Sequence, residues 1–173
     1  MPVLGRSAYG DARRHRQLLL RDYRDGAVAG LLAGTTLIVL FFVYDVLLFA
    51  PLATPDFLSW EFLGSGDPGA ELAPMSRTVR IAIFTLLHLA AFAFLGIGLA
   101  RLLHATQLKK AVLAGALYGL TACTLLFGVS LQVSGTQMSA GGPGWPAVLV
   151  VNVAAGIVMV IYLRWAQGAE PSR

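Results

Sequence analysis

Four stretches of this sequence are long, apolar and almost free of charged side chains. They cover residues 26–50, 79–103, 111–133 and 145–165. A helix of about 20 predominantly apolar residues is long enough to cross the roughly 30 Å hydrocarbon core of a bilayer. The pattern therefore predicts an all-α integral membrane protein whose four transmembrane helices form an up-down-up-down bundle.

Composition leaves little of the chain for any other kind of domain. Of the 173 residues, 57% are hydrophobic and 13% are charged, whereas about 25% of the residues of soluble domains are charged. The apolar stretches and their connections use most of the chain, so we expect no soluble catalytic domain. We predict a transmembrane domain at 26–165, an Arg-rich amphipathic cytoplasmic tail at 1–25 and a short cytoplasmic tail at 166–173.

The distribution of basic residues predicts the orientation in the membrane. Eleven Lys and Arg residues fall on one side of the predicted membrane and two, Arg77 and Arg80, on the other. Loops rich in Lys and Arg stay in the cytoplasm. We therefore predict a multi-pass protein of the bacterial inner membrane with N and C termini cytoplasmic. The arginines of residues 1–25 would face anionic headgroups, so the expected partners of the basic tail are membrane lipids and not nucleic acid.

The longest connection, residues 51–78, predicts one further, short helix. Thr54, Pro55 and Asp56 form a helix start, with a capping hydroxyl, a proline at the first position and then an acidic residue. Gly64 suits the end of this helix. The apolar residues between them are too few to cross a membrane, and Trp60 is typical of the membrane interface. We expect a short interfacial helix in this first outer loop.

Each predicted transmembrane helix contributes one polar side chain to a common layer. Counted at about 1.5 Å per residue along each helix, the layer lies in the outer half of the membrane and contains Asp45, His88, Thr124 and Asn152. Polar groups inside a membrane are costly and are commonly functional. In one interpretation Asp45 accepts hydrogen bonds from His88 or Asn152 and fixes how the helices dock. Arg80 is a further candidate donor to this carboxylate.

Two alternatives to this structural interpretation stay open. An Asp–His pair in a low dielectric would have shifted pKa values, so Asp45 and His88 could form a proton-carrying or ligand-binding site. Alternatively, these two side chains never meet.

Small residues at every fourth position predict where helices approach closely. Gly26, Gly30 and Gly34 line one face of the first predicted transmembrane helix, and Gly115 and Gly119 line one face of the third. The second pair either packs within the bundle or receives a helix of another subunit.

The sequence predicts no catalytic, metal-binding or cofactor-binding residue. Cys123 is the single cysteine, which excludes an internal disulfide and a thiolate metal cluster. His88 and His104 fall on nearly opposite faces of one helix, so they do not bind one haem between them. A bound lipid, or a pigment held by His88 alone, stays open.

The runs Tyr44-Asp45, Thr54-Pro55 and His88-Leu89-Ala90-Ala91-Phe92 resemble small four-helix bacterial membrane proteins. This resemblance implies the fold and no activity. For function, we favour a non-catalytic accessory subunit of a larger respiratory, photosynthetic or transport complex, because the chain has no catalytic constellation and has extra small-residue stripes. The expected partners are other membrane subunits or further copies of the chain. The alternatives are a small oligomeric transporter or channel that uses the Asp/His layer, and a membrane enzyme acting on lipid or quinone.

Overall fold

The computed structural model describes residues 5–48, 50–63, 75–106, 111–125, 128–129 and 144–168, with the backbone alone at 5–19, 61, 104–106 and 167. These residues form helices and contain no strand, which confirms the predicted all-α class. In chain order the helices are α1 (Gly5–Leu47), α2 (Ala53–Leu63), α3 (Arg77–Thr106), α4 (Ala111–Tyr118) and α5 (Trp145–Gly168). A π-helical turn, Gly119–Cys123, continues α4.

Three of these helices are long and apolar enough to cross a membrane, which indicates a membrane protein. Their apolar parts are Leu20–Leu47, Arg77–Leu103 and Trp145–Ala166, which overlap the first, second and fourth predicted stretches. Where the third stretch was predicted, the structure has a shorter apolar helix, Ala111–Cys123. Most of the chain from there to residue 133, and the last residues of the carboxyl-terminal tail, lie outside the described residues.

Helix α1 differs from the prediction at both ends. It begins at Gly5 and runs without a break through the predicted boundary between tail and membrane span. The segment contains no proline, and each glycine inside a helix costs only about 1 kcal/mol. It ends at Leu47, three residues before the predicted end at residue 50. The backbone N–H of Ala50 donates to the carbonyl of Asp45 at 2.9 Å, and Leu52 then takes a left-handed φ of 67° that turns the chain into α2.

Glycine allows α1 and α3 to pack in backbone contact. A Cβ atom placed on Gly30 would lie 2.0 Å from the carbonyl oxygen of Phe92, and one placed on Gly96 would lie 2.1 Å from that of Gly26. Gly34, further along α1, faces the side chain of Leu89. Residues later in α1 thus meet residues earlier in α3, so the two helices are antiparallel. The predicted glycine stripe of the first helix lies at this interface.

A second glycine interface joins α4 to α5. A Cβ atom on Gly119 would lie 2.1 Å from the carbonyl oxygen of Asn152, and one on Gly156 would lie 2.0 Å from that of Gly115. The small-residue pair predicted on the third stretch therefore contacts a helix of the same chain. Helix α5 also packs against α1, where the Arg21 guanidinium donates to the carbonyl of Ala166 at 2.9 Å. The core is formed by α1, α3, α4 with its π-helical turn, and α5, and α2 packs against α3.

We expect Gly30→Ala to destabilise the protein by about 1–3 kcal/mol, because the added methyl group has no space against the α3 backbone. Thermal unfolding in detergent micelles, followed by circular dichroism, measures the effect. Gly128→Ala is the matched control, since no atom of the described residues lies within 4 Å of a Cβ atom at that position. Equal unfolding temperatures for the two variants would contradict the close α1–α3 contact.

Candidate functional site

Asp45 is the carboxylate predicted in the polar layer, and both of its oxygens are occupied by one neighbouring residue. The backbone N–H of Thr54 donates to Oδ2 at 2.8 Å. The hydroxyl of the same threonine donates to Oδ1 at 2.6 Å. The Asp45 side chain is 2% exposed, and burial of a carboxylate is costly unless hydrogen bonds of this kind compensate for it.

The position of Asp45 explains why this pairing forms. Because α1 ends at Leu47, Asp45 lies in its last turn, near the first turn of α2. The first N–H groups of a helix have no acceptor within the helix, and the helix dipole favours a negative charge there. The cap of α2 is therefore the Asp45 carboxylate. The predicted cap was the hydroxyl of Thr54, which instead donates to Asp45.

Ion pairs and hydrogen bonds from two arginines of α3 hold α2 against α3. The guanidinium of Arg80 donates to the Asp56 carboxylate at 2.6 Å and to the Ser59 hydroxyl at 3.2 Å, and it lies 4.9 Å from the centre of the Trp60 ring. Arg77 forms a second ion pair with Asp56 at 3.0 Å. Arg80 was predicted as a candidate donor to Asp45, and the hydrogen bonds described for it go to α2. We call Asp45, Thr54, Asp56, Arg77 and Arg80 the α2 anchor.

His88 lies in α3 within a row of aromatic rings. Its ring centre is 4.7 Å from that of Phe92 and 6.0 Å from that of Phe84, and Phe62 of α2 lies 5.6 Å from Phe84. The Nε2 atom of His88 is buried and has no hydrogen-bond partner among the residues that the structure describes. Buried polar groups in proteins nearly always have one, so this atom is an exception that needs an explanation.

A cavity of about 220 Å³ adjoins His88. Its walls come from α1, α2, α3, the π-helical turn and α5, and they are apolar except at a few atoms. Among the described residues, the polar side chains on the walls are His88, Cys123 and Asn152. A second cavity, of about 200 Å³, shares His88, Phe84 and part of the α1 wall with the first. A mostly apolar cavity with a few convergent polar groups is the usual form of a small-molecule site.

The predicted polar layer divides into separate groups. Asn152 donates to the Thr124 hydroxyl at 3.3 Å, which joins α5 to the end of the π-helical turn. Asp45 pairs with Thr54, and His88 keeps an unpaired nitrogen. Within the described part of the chain, no hydrogen bond joins Asp45 to His88 or to Asn152. The sequence interpretation also missed the aromatic row, although the four-residue spacing of Phe84, His88 and Phe92 was a usable signal.

Neither a metal site among the described side chains nor a match to a known protein indicates what binds in this region. Among the described side chains, no three His, Cys, Asp or Glu residues lie close enough together to hold a metal ion. Comparison with protein-family models, with curated proteins and with solved structures finds no match to this chain.

A double-mutant cycle tests the pairing of Asp45 with Thr54. We expect Asp45→Ala to lower the free energy of unfolding by about 1.5–3 kcal/mol and Thr54→Val by about 1 kcal/mol, because the first removes both hydrogen bonds of the carboxylate and the second removes only the one from the hydroxyl. The two losses should be non-additive by at least about 0.5 kcal/mol. Denaturant unfolding measures all three variants.

Thr35→Val is the control for the threonine substitution. Its exposed hydroxyl donates only to the carbonyl of Leu31 in its own helix, at 2.8 Å, so we expect a change within about 0.5 kcal/mol. Additive losses for Asp45→Ala and Thr54→Val would show that the two side chains do not interact.

Proposed function

We propose that this protein is a non-catalytic accessory subunit of a larger complex in the bacterial inner membrane. In this proposal the chain crosses the membrane four times, with both termini in the cytoplasm and α2 lying in the outer interface. The three long apolar helices support membrane insertion, and the excess of Lys and Arg on one side supports the orientation.

The observation that carries the proposal is the open face of α3. In the most apolar 18-residue stretch of α3, 11% of the residues are buried inside the chain, against 39% for α1 and 44% for α5. Leu86 is 68% exposed and Phe94 is 76% exposed. Helix α3 therefore offers an apolar surface that the described part of this chain leaves uncovered.

The open face has the spacing of a helix–helix contact surface. Residues three and four apart in a helix share a face, and on α3 these positions hold exposed side chains of alternating size. We call this set the α3 outer stripe: Val79, Ala82, Leu86, Ala90 and Phe94. Small residues between large ones form grooves that admit the ridges of a neighbouring helix. We therefore assign the stripe to a helix of another membrane subunit.

Two differences between the structure and the sequence-based predictions bear on this proposal. The glycine stripes that were predicted as possible partner surfaces pack against helices of the same chain. We therefore expect the partner to bind α3 instead. The carboxylate offered as a proton carrier has both oxygens hydrogen-bonded to Thr54. A carrier must exchange its proton along a pathway, so this geometry favours a structural role for Asp45 over the transporter alternative.

Native purification tests the proposal. The intact particle, extracted from the source membrane in mild detergent, is analysed by native mass spectrometry and subunit identification. We expect stoichiometric subunits of other sequence bound to this 18.4 kDa chain. A particle that contains only this chain, as a monomer or as several copies, would overturn the accessory-subunit proposal.

Substitution in the α3 outer stripe locates the contact. We expect Ala90→Trp to weaken partner binding about tenfold or more, because overpacking an interface costs about 1–3 kcal/mol. Val150→Trp on α5 is the matched control, since Val150 is 68% exposed on a different helix. The ratio of partner to bait after native purification measures the effect. Equal recovery of partners with the two variants would place the contact elsewhere.

A further inference from the structure

We propose that the cavity beside His88 binds one small molecule from the membrane, with a single hydroxylated ring whose hydroxyl pairs with Nε2 of His88. The proposal concerns the interior of the chain and goes beyond the role of an accessory subunit. It rests on the unpaired nitrogen, the shape and lining of the cavity, and its access from the apolar surface.

The unpaired nitrogen needs a partner that the described residues do not provide. The Nε2 atom is buried without a hydrogen bond, and His88 lines both adjoining cavities. A buried water molecule typically makes about three hydrogen bonds to polar groups. Besides His88, the described walls carry two polar side chains, Cys123 and Asn152, and the Asn152 amide already donates to Thr124, so water is a poor partner here. A largely apolar molecule with one polar group matches the walls and the nitrogen together.

The chemistry of imidazole selects a hydroxyl as that polar group. In neutral histidine one ring nitrogen donates and the other accepts. A hydroxyl can donate to Nε2 in one tautomer and accept from Nε2–H in the other, so it satisfies either form. A ligand that can only accept, such as an ether, would satisfy one tautomer alone.

The size and lining of the cavity select a single ring. A dry engineered cavity of about 150 Å³ holds benzene, and drug-sized ligands occupy about 300–1,000 Å³. The 220 Å³ beside His88 lies between these values, so it suits one substituted ring better than a macrocycle. Phe62, Phe84 and Phe92 all line this cavity. Aromatic rings pair favourably at centroid distances of about 4.5–7 Å, so these walls favour an aromatic ligand over an aliphatic one.

The cavities reach the apolar surface of the protein. Leu87, on the wall of the first cavity, is 55% exposed. The second cavity is lined in part by Val39, which is 52% exposed, and by Phe42, which is 46% exposed. A molecule dissolved in the hydrocarbon layer can therefore approach His88 from the side. The second cavity offers space for an alkyl tail attached to the ring.

Paired probes of the same shape test the hydrogen bond. The purified full-length protein, labelled with ¹⁵N-histidine in detergent micelles, is titrated with p-cresol and separately with toluene, and affinities are referred to the probe concentration in the micelle. We expect p-cresol to bind saturably and to shift the Nε2 resonance of His88. Toluene lacks only the hydroxyl, so we expect it to bind about two- to tenfold more weakly and to leave that resonance unmoved.

Two variants separate the roles of the nitrogen and the cavity. His88→Phe preserves the aromatic row and removes the nitrogen, so we expect the preference for p-cresol over toluene to fall to about one. Ala91→Phe fills the cavity, so we expect both probes to lose saturable binding. A preference that survives in His88→Phe, or equal binding of the two probes to the wild type, would overturn the proposal whether or not Ala91→Phe folds.

A third probe identifies the source of the ligand. Free phenols and membrane quinols share the hydroxylated ring, and a benzoquinol with a decyl chain differs from p-cresol by its tail and by a second hydroxyl. Tighter binding of the decyl quinol, with the same shift of the His88 resonance, would support a membrane quinol whose tail uses the second cavity. Equal or weaker binding would support a free ring. If no probe shifts the His88 resonance, the proposed binding site is wrong.

Discussion

The close contact of α1 with α3 determines where the other parts of the structure lie. Gly30 and Gly96 bring the two backbones together because neither residue carries a Cβ atom, and a methyl group at either position would overlap a carbonyl oxygen. The contact also fixes the antiparallel register of the two helices. In that register the end of α1 lies beside α2, and Phe41 faces the same cavity as His88. Both the α2 anchor and the cavity depend on this register.

The polar groups of the protein differ in whether their hydrogen bonds are complete. Asp45 is almost fully buried, and its two oxygens both accept hydrogen bonds from Thr54, so it holds α2 in place and has little left to offer a ligand. His88 is different, since its buried Nε2 has no hydrogen-bond partner among the described residues and the residue lines a cavity. A complete set of hydrogen bonds fits a structural role, and the incomplete set at His88 is the exception from which we propose a binding role.

Much of the fold could be predicted from the sequence, because hydrophobic length is a strong local signal. The pairing of Asp45 could not be predicted, because it depends on α1 ending at Leu47 and on a left-handed turn at Leu52. Leucine rarely adopts that conformation, so nothing in the local sequence marks the turn. The row formed by Phe84, His88 and Phe92 follows from spacing alone. The cavity does not, because its walls come from segments distant in the chain whose packing the sequence does not reveal.

The two proposed roles of α3 lie on neighbouring faces of one helix. Successive residues of a helix are rotated by about 100°, so Ala90 belongs to the outer stripe while Ala91 lines the cavity. The same offset separates Leu86 of the stripe from Leu87 at the exposed edge of the cavity. A bulky side chain at position 90 therefore obstructs the stripe without filling the cavity, and one at position 91 does the reverse. Because the two faces are separable in this way, we expect a substitution on one face to remove the proposed partner binding or the proposed ligand binding without removing the other.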